Sequence, residues 1–119
     1  MSERPWRLLR TGAGAPDFNM ALDEALLRGG GPPALRLYAW DPPALSLGWF
    51  QPRQGFDEEA VRAAGARIVR RPTGGGAIHH DRELTFSIAA EPGRDGYPAE
   101  TVAAYTWVHE RLREALAAV

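Results

Sequence analysis

Ile68-Val-Arg-Arg-Pro-Thr-Gly-Gly-Gly-Ala-Ile-His-His80, with Asp81 next and the alternating run Leu84-Thr-Phe-Ser-Ile88 close behind, decides how this chain is read. Two short apolar runs flank three successive glycines, so the stretch reads as strand, loop, strand. Lacking a Cβ, Gly74, Gly75 and Gly76 can adopt positive φ and let another molecule pack against their peptide groups. Arg70 and Arg71 stand before the loop and His79, His80 and Asp81 after it, which makes a candidate anion site between two strands.

Simpler readings compete at each position. Tandem arginines at a strand end are more often solvated or carboxylate-paired than ligand-bound, and side-chain alternation sends Arg70 and Arg71 to opposite faces, so at most one faces a given pocket. The glycines do not form a phosphate loop, since no Gly-Lys-Ser/Thr follows and the next element is a strand. The dinucleotide fingerprint fails for the same reason, because it requires a helix there. His79, His80 and Asp81 lack a third well-spaced metal ligand, so a turn-capping Asp81 ranks above metal binding.

Outward from the loop, Asp17 reads as the N-cap of a helix over residues 18–28, with Phe18, Leu22, Ala25 and Leu26 on its apolar stripe and Gly29 beyond its end. Leu35 to Trp40 and Ala44 to Phe50 read as two strands joined by Asp41-Pro-Pro43, a hairpin. Asp57 caps a short helix to Ala64, with Glu58 and Glu59 in its first turn and Gly65 as its stop. Leu84 to Ala90 is a further strand, and a last helix from about Glu100 carries Val102, Tyr105, Val108, Leu112, Ala115, Leu116 and Val119 as an apolar stripe. The order αββαβββα predicts an α/β or α+β fold, a sheet with packed helices. The uncapped final stripe leads us to expect the fold to continue past Val119.

Composition narrows the function classes. A chain of 119 residues is one domain at most, and its formal charge of −1 gives no general attraction to nucleic acid or anionic membrane. The absence of a long apolar run or signal-like N-terminus predicts a soluble cytoplasmic protein. Cysteine is absent, and all 14 basic residues are arginine, so these residues contain neither a thiol nucleophile nor a side-chain amine that can be acylated. Tyr38, Trp40, Trp49 and Phe50 read as core or sheet-face residues, or as an apolar slot beside the arginines for a long hydrocarbon tail. Asp23 and Glu24 are neighbours on a helix and not a paired acid and base; at least one belongs on a solvated face.

Three stretches in fixed order carry a specific resemblance: Phe18-Asn-Met-Ala-Leu-Asp-Glu-Ala-Leu26, Leu35-Arg-Leu-Tyr-Ala-Trp-Asp-Pro-Pro-Ala-Leu-Ser-Leu-Gly-Trp-Phe-Gln51, and Arg70-Arg-Pro-Thr-Gly-Gly-Gly-Ala-Ile-His-His-Asp81 with Leu84-Thr-Phe-Ser87. Together they resemble the lipoate-protein ligases and related octanoyltransferases, which share a catalytic fold with biotin-protein ligases. The resemblance implies that residues 1–119 form the N-terminal part of such a catalytic domain, with a mixed, largely antiparallel sheet. It implies attachment of lipoate, through ATP-dependent lipoyl-AMP formation with Mg2+, to a lysine of a lipoyl carrier domain, that of the 2-oxoacid dehydrogenase E2 component or the glycine cleavage H protein. The alternative is transfer of octanoyl from acyl carrier protein without ATP, and a third reading is a non-catalytic lipoate- or acyl-AMP-binding fragment or remnant.

Carried over by position, Arg71 resembles the arginine that contacts the nucleotide phosphate, with Arg70 beside it. Gly74, Gly75, Gly76, Ala77, Ile78 and His79 resemble the loop and strand lying along the acyl-adenylate. His80 and Asp81 match a His-Asp pair expected to shape the loop, and Trp40 and Asn19 fall on pocket-side segments. The family's catalytic lysine or thioester cysteine has no counterpart among these residues, so the resemblance implies that a later segment or a second polypeptide supplies it.

Overall fold

The computed structural model describes residues 2–119. Its elements are β1 (Arg7–Gly14), α1 (Pro16–Gly29), β2 (Ala34–Trp40), β3 (Ala44–Leu47), α2 (Glu58–Ala63), β4 (Arg67–Arg70), β5 (Ile78–His80), β6 (Thr85–Ala89) and α3 (Thr101–Ala117). The expected order is therefore present behind one unforeseen strand. β1 escaped the sequence reading because Arg7-Leu-Leu-Arg-Thr-Gly-Ala-Gly lacks both alternation and β-branched residues apart from Thr11. Its bulge, where the register slips between Arg10 and Gly12, uses the positive φ of Gly12.

The strands form two three-stranded sheets, β1-β2-β6 and β4-β3-β5. Each holds one parallel ladder (β1 with β2, β3 with β4) and one antiparallel ladder (β2 with β6, β3 with β5), so the sheet is mixed as expected but evenly so. The expected β2–β3 hairpin does not form. The chain passes through Asp41, Pro42 and Pro43 into the second sheet, and β3 takes β4 and β5 as partners instead. Two prolines without N–H groups end the β2 ladder, and the partners available to β3 make the segment a transfer between sheets.

Helix α1 corrects the sequence reading in two respects. Pro16 occupies its first turn behind Ala15, and Asp17 lies inside that turn instead of capping it. The ring of Pro16 presets the helical φ, while Asp17 still meets the positive end of the helix dipole. The buried face is also rotated: Asn19 and Met20 point inward, whereas Phe18 is more than half exposed and Ala25 is exposed. Asp57 caps α2 as expected, its carboxylate accepting from the Ala60 N–H at 3.0 Å.

The core gathers Met20, Tyr38, Trp40 and Ala44, with Val69 against them. Trp49 and Phe50, expected as core or sheet-face residues, instead stand on an exposed turn. On β2 the buried residues are Ala34, Arg36, Tyr38 and Trp40, while Leu35 and Leu37 face the other side of the sheet. There, with Phe86, Ile88, Trp107, Val108 and Leu112, they line an apolar groove of about 530 Å3 beside α3. The α3 stripe itself is largely uncovered, with Val102, Tyr105 and Leu116 exposed.

The N-terminal segment is fastened by one carboxylate. Asp95 accepts from the Arg4 backbone N–H (2.7 Å) and from its guanidinium (3.1 and 2.7 Å), its own carbonyl accepts from Trp6 Nε1 (3.0 Å), and Trp6 stacks on Trp107. The side-chain and backbone hydrogen bonds from Arg4 hold the Asp95 carboxyl below its usual range. A depressed carboxyl adds stability above its unfolded value of about 3.9 and loses it as pH falls through the folded value. Acid unfolding followed by circular dichroism is therefore expected to show a stability loss starting below about pH 4, and Asp95→Asn should flatten that limb.

Candidate functional site

A cleft of about 550 Å3 opens between α1, the end of β2, β6 and the loop from Arg71 to Ile78. Apolar side chains of Met20, Leu26, Leu27 and Ile78 line much of it, β6 borders it through Thr85 and Ser87, and Tyr38, Trp40, Asp23, Arg71 and His80 complete its edge. Alternation along β2 turns Tyr38 and Trp40 to the same side as Arg36, so a strand rich in leucine presents its aromatic residues to the cleft and buries its arginine behind them.

Arg71 organises the glycine loop. One terminal nitrogen donates to the Ser46 carbonyl (2.9 Å) and to Ser46 Oγ (2.7 Å), and the other to the carbonyls of Gly74 (2.9 Å) and Gly76 (2.8 Å). Partial burial pulls its pKa down, yet an arginine stays charged. The loop is also pinned from below, where the Trp49 N–H donates to the Thr73 carbonyl at 2.8 Å. Gly75 has a φ of 94°, and Gly48 packs so closely that a Cβ there would overlap the Gly75 carbonyl. Arg70 points away, as alternation predicted: its guanidinium donates to the carbonyls of Gly48 and Gln51, both at 2.7 Å, and closes the exposed turn.

Behind the loop, His80 is buried and doubly held. Its Nδ1 lies 3.2 Å from Glu83 Oε1 and its Nε2 lies 2.8 Å from Ser46 Oγ. An ionised carboxylate only accepts, so in the neutral ring the proton sits on Nδ1 and Nε2 accepts from the serine hydroxyl. Glu83 also accepts from Thr85 (2.7 Å), and Thr85 accepts from Trp40 Nε1 (2.8 Å). Burial pushes the Glu83 carboxyl up, but hydrogen bonds from Thr85 and His80 outweigh it and hold it below its usual range. The His80 and Trp40 rings stack at 4.2 Å, 14° from parallel.

Ser46, His80 and Glu83 thus have the connectivity of a hydroxyl–imidazole–carboxylate triad. They do not have its access. Ser46 is wholly buried and its oxygen already accepts from Arg71, so no acyl carbon can approach it.

A second polar cluster backs the cleft. Arg36, fully buried, donates to Asp23 Oδ1 (2.8 Å), the Asn19 carbonyl (2.9 Å), Asn19 Oδ1 (2.7 Å) and Thr11 Oγ1 (3.0 Å). Asp23 also accepts from Tyr38 (2.8 Å) and Ser87 (2.7 Å). Burial, with Asp23 next, pushes the Tyr38 phenol up, so it remains a donor. Glu24, its neighbour, is turned outward to Arg28, so of this adjacent pair one residue is solvated and the other lines the cleft.

Of the residues expected at the site, Arg71, Gly74, Gly75, Gly76, Ala77, Ile78, His80 and Trp40 line this cleft. Arg70, Asn19, His79 and Asp81 do not. Asn19 lies beneath it, its amide donating to the carbonyls of Gly14 and Ala39. His79 is exposed, because strand alternation gives the inward position to His80. Asp81 is exposed beside Arg82. Arg36, Ser46, Asp23, Glu83 and Thr85 were not foreseen as one system. The available signal was polarity inside apolar runs: Arg36 between Leu35 and Leu37, and Ser46 between Leu45 and Leu47. No group of three or more metal-binding side chains occurs among the described residues.

Residues 15–119 match the family model described as lipoyl protein ligase A/B catalytic domain. The chain is 50% identical over 113 residues to octanoyltransferase LipM of Kyrpidia tusciae, covering 90% of this chain and 41% of that protein. It is 41% identical over 117 residues to octanoyltransferase LipM of Bacillus subtilis, covering 94% and 42%. The chain therefore spans about two fifths of the length of these curated relatives. Among solved structures, a lipoate-protein ligase A bound with ATP superposes with a TM-score of 0.66 at 33% identity, over 75% of this chain and 38% of that one. A bi-partite lipoate protein ligase of Thermoplasma acidophilum, solved with its E2 lipoyl domain, gives 0.64 at 33%, over 76% and 38%.

The Gly48–Gly75 contact generates a direct check. Gly48→Ala is expected to push the loop off its seat and to destabilise the protein by about 1–3 kcal/mol. Hydrogen exchange should accelerate at the Trp49 amide, whereas Gly74→Ala, which meets open space at its Cβ, should leave that amide protected.

Proposed function

We propose, since the chain belongs to the lipoyl protein ligase A/B catalytic-domain family, that it forms the acyl-binding part of an octanoyltransferase acting on lipoyl carrier domains. Identity of 41–50% to octanoyltransferases across nine tenths of the chain carries this reading and favours it over ATP-dependent lipoate activation. A second observation supports it. The guanidinium that would meet a nucleotide phosphate, Arg71, has both terminal nitrogens committed to Ser46, Gly74 and Gly76, and so serves as a loop clamp.

In this reading the apolar cleft takes the hydrocarbon tail of an octanoyl thioester delivered by acyl carrier protein. Burying each methylene contributes about 0.8 kcal/mol, so the tail supplies most of the binding. The thioester carbonyl then lies at the polar edge formed by the glycine loop. Transfer forms an amide between the octanoyl carbonyl and the lysine amine of the carrier domain and releases the thiol. The intermediate thiol is not among these 119 residues, which contain no cysteine; it comes from a further segment or a second polypeptide. No helix among the described residues is long and apolar enough to cross a membrane, and we place the reaction in the cytoplasm with its carrier proteins.

Thermal shift tests the assignment. Octanoyl-pantetheine thioester at about one hundred times its Kd is expected to stabilise the chain by about 2.7 kcal/mol, with no further effect of ATP and Mg2+. Stabilisation only by lipoate together with ATP would turn the reading to the ligase.

A further inference from the structure

With His80 neutral and Glu83 ionised, the hydrogen bonds behind the glycine loop run in one direction. Arg71 donates to Ser46 Oγ, Ser46 donates to His80 Nε2, and His80 donates from Nδ1 to Glu83. The other end of the same guanidinium holds the carbonyls of Gly74 and Gly76. We propose that Ser46, His80 and Glu83 are positioning residues that hold the loop in place through Arg71, and that protonation of His80 releases it.

The chemistry follows from what each atom can do. A neutral His80 offers Nε2 as an acceptor, which turns the serine hydroxyl toward the ring and leaves the serine lone pairs to Arg71. A protonated ring donates from both nitrogens, so Nε2–H and the Arg71 N–H converge on one oxygen while the serine proton loses its acceptor. Two cations then face each other across a single buried hydroxyl. The charged and titratable groups around the ring are Glu83 from the turn after β5, Arg71 from the segment after β4, and the Tyr38 phenol of β2 beyond Trp40. Glu83 keeps its bond to the protonated ring, so the weak link is the one between Ser46 and Arg71. The inference rests on the acyl-site reading only for its functional consequence, because the loop responds whether or not a chain is bound.

Nuclear magnetic resonance of the intact chain tests it. In the wild type the amide shifts of Gly74, Gly75 and Gly76 are expected to titrate with the same midpoint as the His80 ring nitrogens. In Ser46→Ala the ring should still titrate while the glycine amides no longer follow. Arg71→Lys, which keeps Ser46 and His80 but cannot bridge both carbonyls, should uncouple them in the same way if Ser46→Ala proves unfolded. Glu83→Gln, which removes the carboxylate that accepts from Nδ1, should move the ring and glycine midpoints together. Glycine amides that ignore the His80 midpoint in the wild type, or that still track it in Arg71→Lys, would overturn the proposal. Failure of octanoyl thioester to bind would count against the functional reading alone.

Discussion

The back wall of the cleft hangs on one buried guanidinium. Arg36 is fully excluded from solvent, and a charge in that position is tolerated only when its donors are met. Thr11 on β1, Asn19 and Asp23 on α1 meet them, and Asp23 extends the cluster to Tyr38 on β2 and Ser87 on β6. One ion thereby fastens the helix to all three strands of its sheet. Removing either member of such a pair strands the other and costs about 3–5 kcal/mol, more than most single apolar contacts. The cleft can present an apolar lining because this polar cluster, and not the lining, holds its back wall together.

Family, element types and the strand–loop–strand around the glycines were legible because they rest on local rules. Glycine runs, helix caps and strand alternation act over a few residues, and Asp57, Gly65 and the Arg70/Arg71 divergence follow them. What was hidden is non-local. The choice between hairpin and sheet transfer after Trp40 depends on which strands compete for β3, and Asp41-Pro-Pro43 suits either outcome. The inward turn of Arg36 contradicts the usual sorting of leucine inside and arginine outside. It becomes sensible only once α1 delivers Asp23 and Asn19, thirteen and seventeen positions away, to the same place. Asn19 looked pocket-facing for the complementary reason: its segment borders the cleft, but its amide is needed for backbone carbonyls beneath.

The loop and the back wall are separate devices. The glycine segment is set by Arg71 and by the close approach of Gly48, both within the β4-β3-β5 sheet and its loops. The wall belongs to the β1-β2-β6 sheet. A substrate lying in the cleft touches both, so its fit depends on how the two sheets are joined as much as on any side chain that it meets.

One part of that joint is the stack of Trp40 on His80, one ring from each sheet, at 4.2 Å, beside the packing of Met20 and Tyr38 on Ala44 and Val69. Such a contact works as a rivet, and a rivet sets an aperture. The width of the cleft therefore depends on a pair of rings that lies behind it as well as on the side chains that line it.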